Sequence, residues 1–155
     1  VSRMIRKARI QDVKAIHSLL MHREEHDGLV LPRSFSQLYS HLRDFFVAVD
    51  DQGAVIGCCA LNIIWENLAE IRSLVVVSGH RGKRLGRKLV EACLSEAVTL
   101  GIFKVYTLTE QTGFFAHLEF VQEDMDALNQ KVFADCLNCP RFPDHCNEVA
   151  MVMVL

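Results

Sequence analysis

"VVVSGHRGKRLGRKLVEACL" spans residues 75–94. It runs from an apolar stretch, "IRSLVVV" (71–77), through a short loop of Gly, Arg and Lys into an amphipathic segment. Leu85, Leu89, Cys93 with Ala92, Ala97 and Leu100 recur at helical spacing, and Gly101 stands where such a helix ends. A strand, a glycine-containing loop and a helix together make an anion cradle. The N–H groups at the helix start have no intrahelical acceptor, and the helix dipole adds attraction. Arg81, Lys83, Arg84 and Arg87 bring positive charge to the same place. Arg84 is the departure, because a small residue fits the middle of such a loop more easily. The alternative reading is a solvated basic turn.

The elements on either side build an α/β chain around this unit. "MIRKARI" (4–10) alternates and predicts a first strand. Asp12 is expected to cap a helix whose Val13, Ile16, Leu19 and Leu20 share one face, with Gly28 at its end. "LVLPRS" (29–34) reads as a loop, since Pro32 disfavours helix for the residue before it. A short helix from Ser34 or Ser36 carries Leu38 and Leu42. "FFVAVDDQGAVIGCCALNII" (45–64) is a hairpin around "DDQG", and "LAEIRSLVVV" (68–77) a central strand. "KVYTLT" (104–109) is the next strand, "GFFAHLEF" (113–120) a short helix leading into a strand near Val121, and "EVAMVMVL" (148–155) a last strand. No repeat or linker divides the chain. The expectation is one mixed α/β domain over residues 1–155, with Met4 as the native start and Val1–Arg3 an addition before it.

Composition agrees with a globular chain: 155 residues, 50% hydrophobic, 23% charged, net charge −2. That charge makes no case for nucleic acid as a partner, although basic residues cluster at 81–88. No apolar run approaches the roughly 18 residues of a membrane span, and the basic N-terminus is too short of apolar length for a signal peptide. A cytoplasmic protein with reduced thiols is expected. Its six Cys are then buried hydrophobes, metal ligands or reactive thiols before they are disulfides.

The loop resembles motif A of the GNAT acetyltransferase superfamily: Arg or Gln, two residues, Gly, one residue, then Gly or Ala. The pattern falls on Arg81, Gly82, Lys83, Arg84, Leu85 and Gly86, with Arg84 in the place of Gly. "IRKARIQDVKAI", "LPRS" (31–34), "LAEIRSLVV" (68–76), "FF…LEF" (114–120) and "DCLNCPRFPDHC" (135–146) extend the resemblance to the short N-acetylglutamate synthase-like acetyltransferases. The resemblance implies an α/β GNAT fold. Its central sheet has six to seven mostly antiparallel strands, splayed between the two central ones and flanked by about four helices. It also implies acetyl-CoA as co-substrate and an amino acid, L-glutamate first, as acceptor. Leu74, Val75 and Val76 would line the pantetheine arm. Arg81, Gly82, Lys83, Arg84, Leu85, Gly86 and Arg87 would surround the phosphates. Arg84 could serve through its N–H if its backbone is helical.

Acetyl transfer to an amine needs a base for the ammonium, a donor for the developing oxyanion and a proton for the departing thiolate. Glu70 is the candidate base, and it would share a face with Arg72 and Leu74 on a regular strand. Glu66 is a rival near the preceding turn. The oxyanion donor would be a backbone N–H near Leu74 or Val75. Many GNAT enzymes have a Tyr where this chain has Phe115, which carries no proton. The pair Phe114 and Phe115 is expected to pack on the cofactor arm or on the helix core, leaving solvent or Tyr106 as proton source. A second departure is Glu119, where the family shows Gly. An acceptor carboxylate calls for Arg. Arg33 leads, Arg72 follows on the face of Glu70, and Arg6 is third.

"CLNCPRFPDHC" gathers Cys136, Cys139, His145 and Cys146, but adjacent His145 and Cys146 suit a tetrahedral metal poorly, and no metal is expected. Structural thiols, a substrate-side lid and a metal or redox role stay open there. Cys58, Cys59 and Cys93 are expected in the core. His17 and His41 have no evident partners in sequence, His22 and His26 could share a helix face, and His80 could touch the cofactor. A non-catalytic acyl-CoA-binding module is the competing function, motivated by Phe115 and Arg84. A homodimer and the identity of the amine are left open.

Overall fold

The computed structural model describes residues 4–22, 33–80, 84–124 and 149–155. Its strands are β1 (Met4–Lys7), β2 (Phe45–Val49), β3 (Val55–Trp65), β4 (Leu68–Val76), β5 (Lys104–Thr109), β6 (Val121–Glu123) and β7 (Val149–Val154). Its helices are α1 (Val13–Met21), α2 (Phe35–Ser40), α3 (Leu85–Leu100) and α4 (Thr112–His117). The sheet order is β1-β2-β3-β4-β5-β7-β6. Every neighbouring pair is antiparallel except β4 with β5, which is parallel. The expected architecture of a mostly antiparallel, seven-stranded sheet with four helices is therefore present.

Strand alternation divides the sheet residues between the two faces of the sheet. Cys59, Leu61, Ala69 and Ile71 point to the side of α3, where Leu85, Leu89, Val90, Cys93 and Ala97 meet them. Phe45, Val47, Cys58, Ala60 and Val75 point the other way, against Val13, Ile16 and Leu20 of α1 and Leu38 of α2. Each helix thus buries one stripe, and the sheet buries both faces. Helix α3 ends where expected, at Gly101, whose φ of 82° is one that an L side chain rarely adopts.

Asp12 does not cap α1 with its side chain. It precedes α1 as the last residue of a 3-10 turn, Ile10–Asp12. Its carboxylate accepts from the Arg9 N–H at 2.7 Å and from both terminal nitrogens of Arg6, at 2.7 and 3.1 Å. The Arg6 hydrogen bond is the main cause that holds the Asp12 carboxyl below its usual range. Arg6 is therefore committed to a structural ion pair and leaves the list of acceptor-binding residues. The start of α2 follows expectation. Ser34 Oγ accepts from the Gln37 N–H at 3.1 Å, and the Gln37 side chain accepts from the Ser34 N–H at 2.9 Å.

Glu119, flagged as a replacement for Gly, takes φ 71° in the turn between α4 and β6. The Phe120 N–H then donates to the Phe115 carbonyl at 3.0 Å, turning the chain toward the sheet. A left-handed residue with a Cβ costs about 1–2 kcal/mol, and glycine gives back part of this through its looser unfolded chain. Glu119→Gly is expected to raise unfolding stability by about 0.5–1 kcal/mol. The measurement is a urea titration, and a lowered midpoint would contradict the strain.

Candidate active site

β4 and β5 are paired only at Ala69 with Val105 and Glu70 with Tyr106. Both strands continue beyond that point, β4 to Val76 and β5 to Thr109. β5 stays paired with β7 along its whole length, so the two central strands part and leave a wedge between them. At its closed end Thr107 Oγ1 donates to the Ile71 carbonyl at 3.0 Å.

The register of β4 on β3 slips within this region. Ala60 faces Arg72 and Cys58 faces Val75, two steps on β3 against three on β4. The extra residue is a β-bulge, and Ser73 in it has φ 57°. Its effect can be traced through two hydrogen bonds. The Ile71 carbonyl accepts from Thr107 of β5, whereas the Val77 N–H donates to Ile56 of β3 at 2.9 Å. On a regular strand residues 71 and 77 would present their main chains to the same edge, since directions alternate. The bulge inverts the alternation once. Beyond it the main chains of Leu74 and Val76 face the wedge, and that of Val75 faces β3.

The same inversion corrects the expected side-chain face. Glu70 and Arg72 pair with Asn62 and Ala60, on the side of α1 and α2. Leu74 does not join them, because it packs with Val76 in the core on the side of α3. Val75 takes the place Leu74 was given, 2% exposed in the core beside α1.

Three of the predicted polar residues converge on that side. Glu70 is 6% exposed, and its Oε1 lies 3.6 Å from Arg72 Nε. Arg33, just before α2, is 9% exposed with its Cζ 5.1 Å from the centre of the Phe45 ring. Its Nη2 is buried and makes no hydrogen bond among the described residues. Burial lowers the Arg33 pKa and Arg72 adds repulsion, against attraction from Asp44, Cys58 and Glu70. Asp44, unremarked in the sequence, belongs to this group. Burial raises its carboxyl pKa, and His41, Arg33, Lys7 and Arg72 pull it back. Tyr106 is fully buried and stands beside Glu70 at the last paired position. Glu66 is exposed in the turn before β4 and takes no part.

At the wedge's open end lies the start of α3. Arg81, Gly82 and Lys83 lie outside the described residues. Arg84 precedes α3 with φ 61° and ψ 19°, not the right-handed helical backbone allowed for it. A glycine takes this conformation freely, so Arg84 keeps the backbone of the family's Gly while carrying a side chain. The Lys88 N–H makes the first helical bond, to the Arg84 carbonyl at 3.0 Å. The N–H groups of Leu85, Gly86 and Arg87 thus precede the helical ladder, and no acidic residue stands in that turn. The Leu85 side chain is core, and that of Arg87 pairs with Glu91 at 2.8 Å. A methyl group on Gly86 would lie 3.3 Å from Phe114 Cζ, so its glycine lets α3 approach that ring. Phe115, by contrast, is 3% exposed and packs edge-on to Phe114 and Phe120, with centroids 5.0 and 5.2 Å away. It belongs to the helix core, and Phe114 is the half-buried ring of the pair.

Cys58, Cys59 and Cys93 are buried and free, as expected of core residues. Cys136, Cys139, His145 and Cys146 lie outside the described residues, as does His26. His17 and His41 do have partners: His17 stacks on Phe35 at 4.0 Å, and His41 lies 3.6 Å from Asp44. His80 Nδ1 is buried beside the loop without a hydrogen bond among the described residues. Among the described residues no cluster could hold a metal, and no helix is long and apolar enough to cross a membrane.

Residues 11–121 match the model of the acetyltransferase (GNAT) family. An uncharacterized N-acetyltransferase of Chlorobaculum tepidum is 40% identical over 151 residues, covering 97% of this chain and 96% of that protein. An amino-acid acetyltransferase of Mycobacterium tuberculosis is 33% identical over 133 residues, 84% of this chain and 75% of that one. The N-acetylglutamate synthase of Neisseria gonorrhoeae, solved with coenzyme A and N-acetyl-glutamate, superposes with a TM-score of 0.87 at 26% identity. That match covers 100% of this chain and 35% of the synthase.

Thr107→Val tests the tie at the closed end of the wedge, since it keeps the shape and removes the donor to Ile71. A loss of about 1–2 kcal/mol is expected, from a buried carbonyl deprived of a partner. Denaturant unfolding would read it, and an unchanged midpoint would show that the bond contributes nothing net.

Proposed function

The chain belongs to the GNAT acetyltransferase family, and on that premise we propose that it acetylates the α-amino group of an amino acid, with L-glutamate as acceptor. Acetyl-CoA is the acetyl donor of this family and supplies an activated acyl carbonyl with a thiolate leaving group. The observation that carries the acceptor assignment is Arg33. Its guanidinium is buried, one terminal nitrogen has no partner among the described residues, and Glu70 and Arg72 are within electrostatic reach. A buried cation with an unused donor fits a carboxylate, which would accept a charge-assisted hydrogen bond there. The resemblance to amino-acid acetyltransferases supports the same reading.

The residues of the wedge suit the donor. The main chains of Leu74 and Val76 offer amide groups along one wall, where an amide-bearing arm could pair as a strand would. At the end of the wedge, the first turn of α3 offers unspent N–H groups beside Arg84, Arg87 and Lys88, which suits phosphate. Residues 81–83 would complete that cradle.

Within this frame each group has a task. Glu70 takes the proton of the incoming ammonium, directly or through one water. Arg33 holds the acceptor's carboxylate, and Arg72, 3.6 Å from Glu70, adds positive charge beside it. The Leu74 N–H is the donor for oxyanion charge, since Val75 turns its main chain toward β3. The amine attacks directly in a ternary complex. Cys58, Cys59 and Cys93 are buried in the core and are not placed to act as acyl carriers. Phe115 supplies no proton to the leaving thiolate, and solvent at the open end of the wedge is left to do so.

Thiol release from acetyl-CoA across a panel of amino acids tests the reading. Release is expected to be fastest with glutamate, and its absence with every amino acid would refute the assignment. Glu70→Gln should lower kcat at neutral pH by about 10²–10⁴-fold while leaving CoA affinity nearly intact. Arg33→Met should instead raise KM for the acceptor by about 10–100-fold, the worth of one hydrogen bond to a charged group. An Arg33 variant with unchanged acceptor KM would move the carboxylate elsewhere.

A further inference from the structure

We infer that Cys58 is a positioning residue for acetyl transfer: its thiol clips the β4 bulge and thereby sets which main-chain groups face the wedge. Cys58 is fully buried in β3 and directly opposite Val75. Its Sγ donates to the Ser73 carbonyl at 3.3 Å. One side chain of β3 thus holds the main chain of the bulge residue itself, next to Leu74. A thiol can do this as a donor through its S–H. Burial pushes the Cys58 pKa up to about 12, so the donor S–H is retained at neutral pH.

The clip matters because of what the bulge does. Ser73 holds a left-handed backbone without being glycine, so the conformation must be maintained by its surroundings. Its carbonyl points toward β3, out of the alternation of a regular strand, and the sulfur is the partner it finds there. If the extra residue relaxed, Leu74 and Val76 would turn their main chains back to β3, and the wedge would lose its amide wall. Thr107 secures the strand on the near side of the bulge, through Ile71. Cys58 secures it on the far side. This inference rests on acetyl transfer by the family and not on glutamate as acceptor.

The test compares Cys58→Val, which keeps apolar volume but has no polar atom, with Cys58→Ser, which keeps a donor and acceptor. Three readouts are taken on the whole chain: hydrogen exchange of the 71–77 amides, CoA affinity by titration, and kcat with the best acceptor of the panel. In the valine variant the Val75 amide is expected to exchange about tenfold faster and CoA to bind about tenfold more weakly, the worth of one buried hydrogen bond. The serine variant should recover to within about threefold of the parent. Where valine prevents folding, Cys58→Ala replaces it, since serine and alanine differ only by the hydroxyl. Serine no better than its apolar counterpart, or an apolar variant with parental exchange and CoA affinity, would overturn the inference. Exchange and CoA binding decide it even if no amino acid is acetylated.

Discussion

Backbone N–H and C=O groups inside a protein need partners, and β4 keeps only its β3 edge paired beyond Glu70. A central strand with one open edge is otherwise a liability, because its amides are exposed inside the fold. Here the opening is bounded rather than frayed. Thr107 ties its closed end, β7 holds β5 in place along its length, and the start of α3 lies at the other end. In the proposed reading this open edge receives the amide-containing arm of the donor.

The bulge at Ser73 connects this edge to the polar group on the face of α1 and α2. By adding one residue it turns Leu74 and Val76 to the wedge and leaves Glu70 and Arg72 behind, on the side where Arg33 is buried. In the proposed reading, donor and acceptor sites are thereby served by residues only a few positions apart on one strand. Local strain at Ser73, Arg84 and Glu119 marks three places where the backbone path was kept although the side chain is not glycine.

Much of this was legible in the residues. Apolar runs and turn residues located β5 and the hairpin of β2 and β3, the choice between Ser34 and Ser36 bracketed the start of α2, and Gly101 located the end of α3. Glu70, Arg72 and Arg33 were picked out by residue type and place in the chain, and they do lie together. Leu74 was put on the wrong face, because alternation assumes a regular strand and nothing in "IRSLVV" announces a bulge. Asp12 was read as a cap by its position, whereas the geometry gives it to Arg6 and Arg9. Phe115 was offered to the cofactor, but of two adjacent rings the fold buries one and leaves the other half-open. Asp44 and Thr107 carried no signal, and Cys58 read only as a core residue, since their importance comes from partners distant in the chain.

The sequence by itself determined the elements, the two apolar faces and the family of the strand-loop-helix unit, because these depend on residues near one another in the chain. Only the tertiary structure decided the edge to which each amide of β4 points. That depends on a register between strands, and a register is chosen by the packing of both faces at once. One inserted residue reverses every main-chain direction beyond it without changing the pattern of apolar side chains enough to be read.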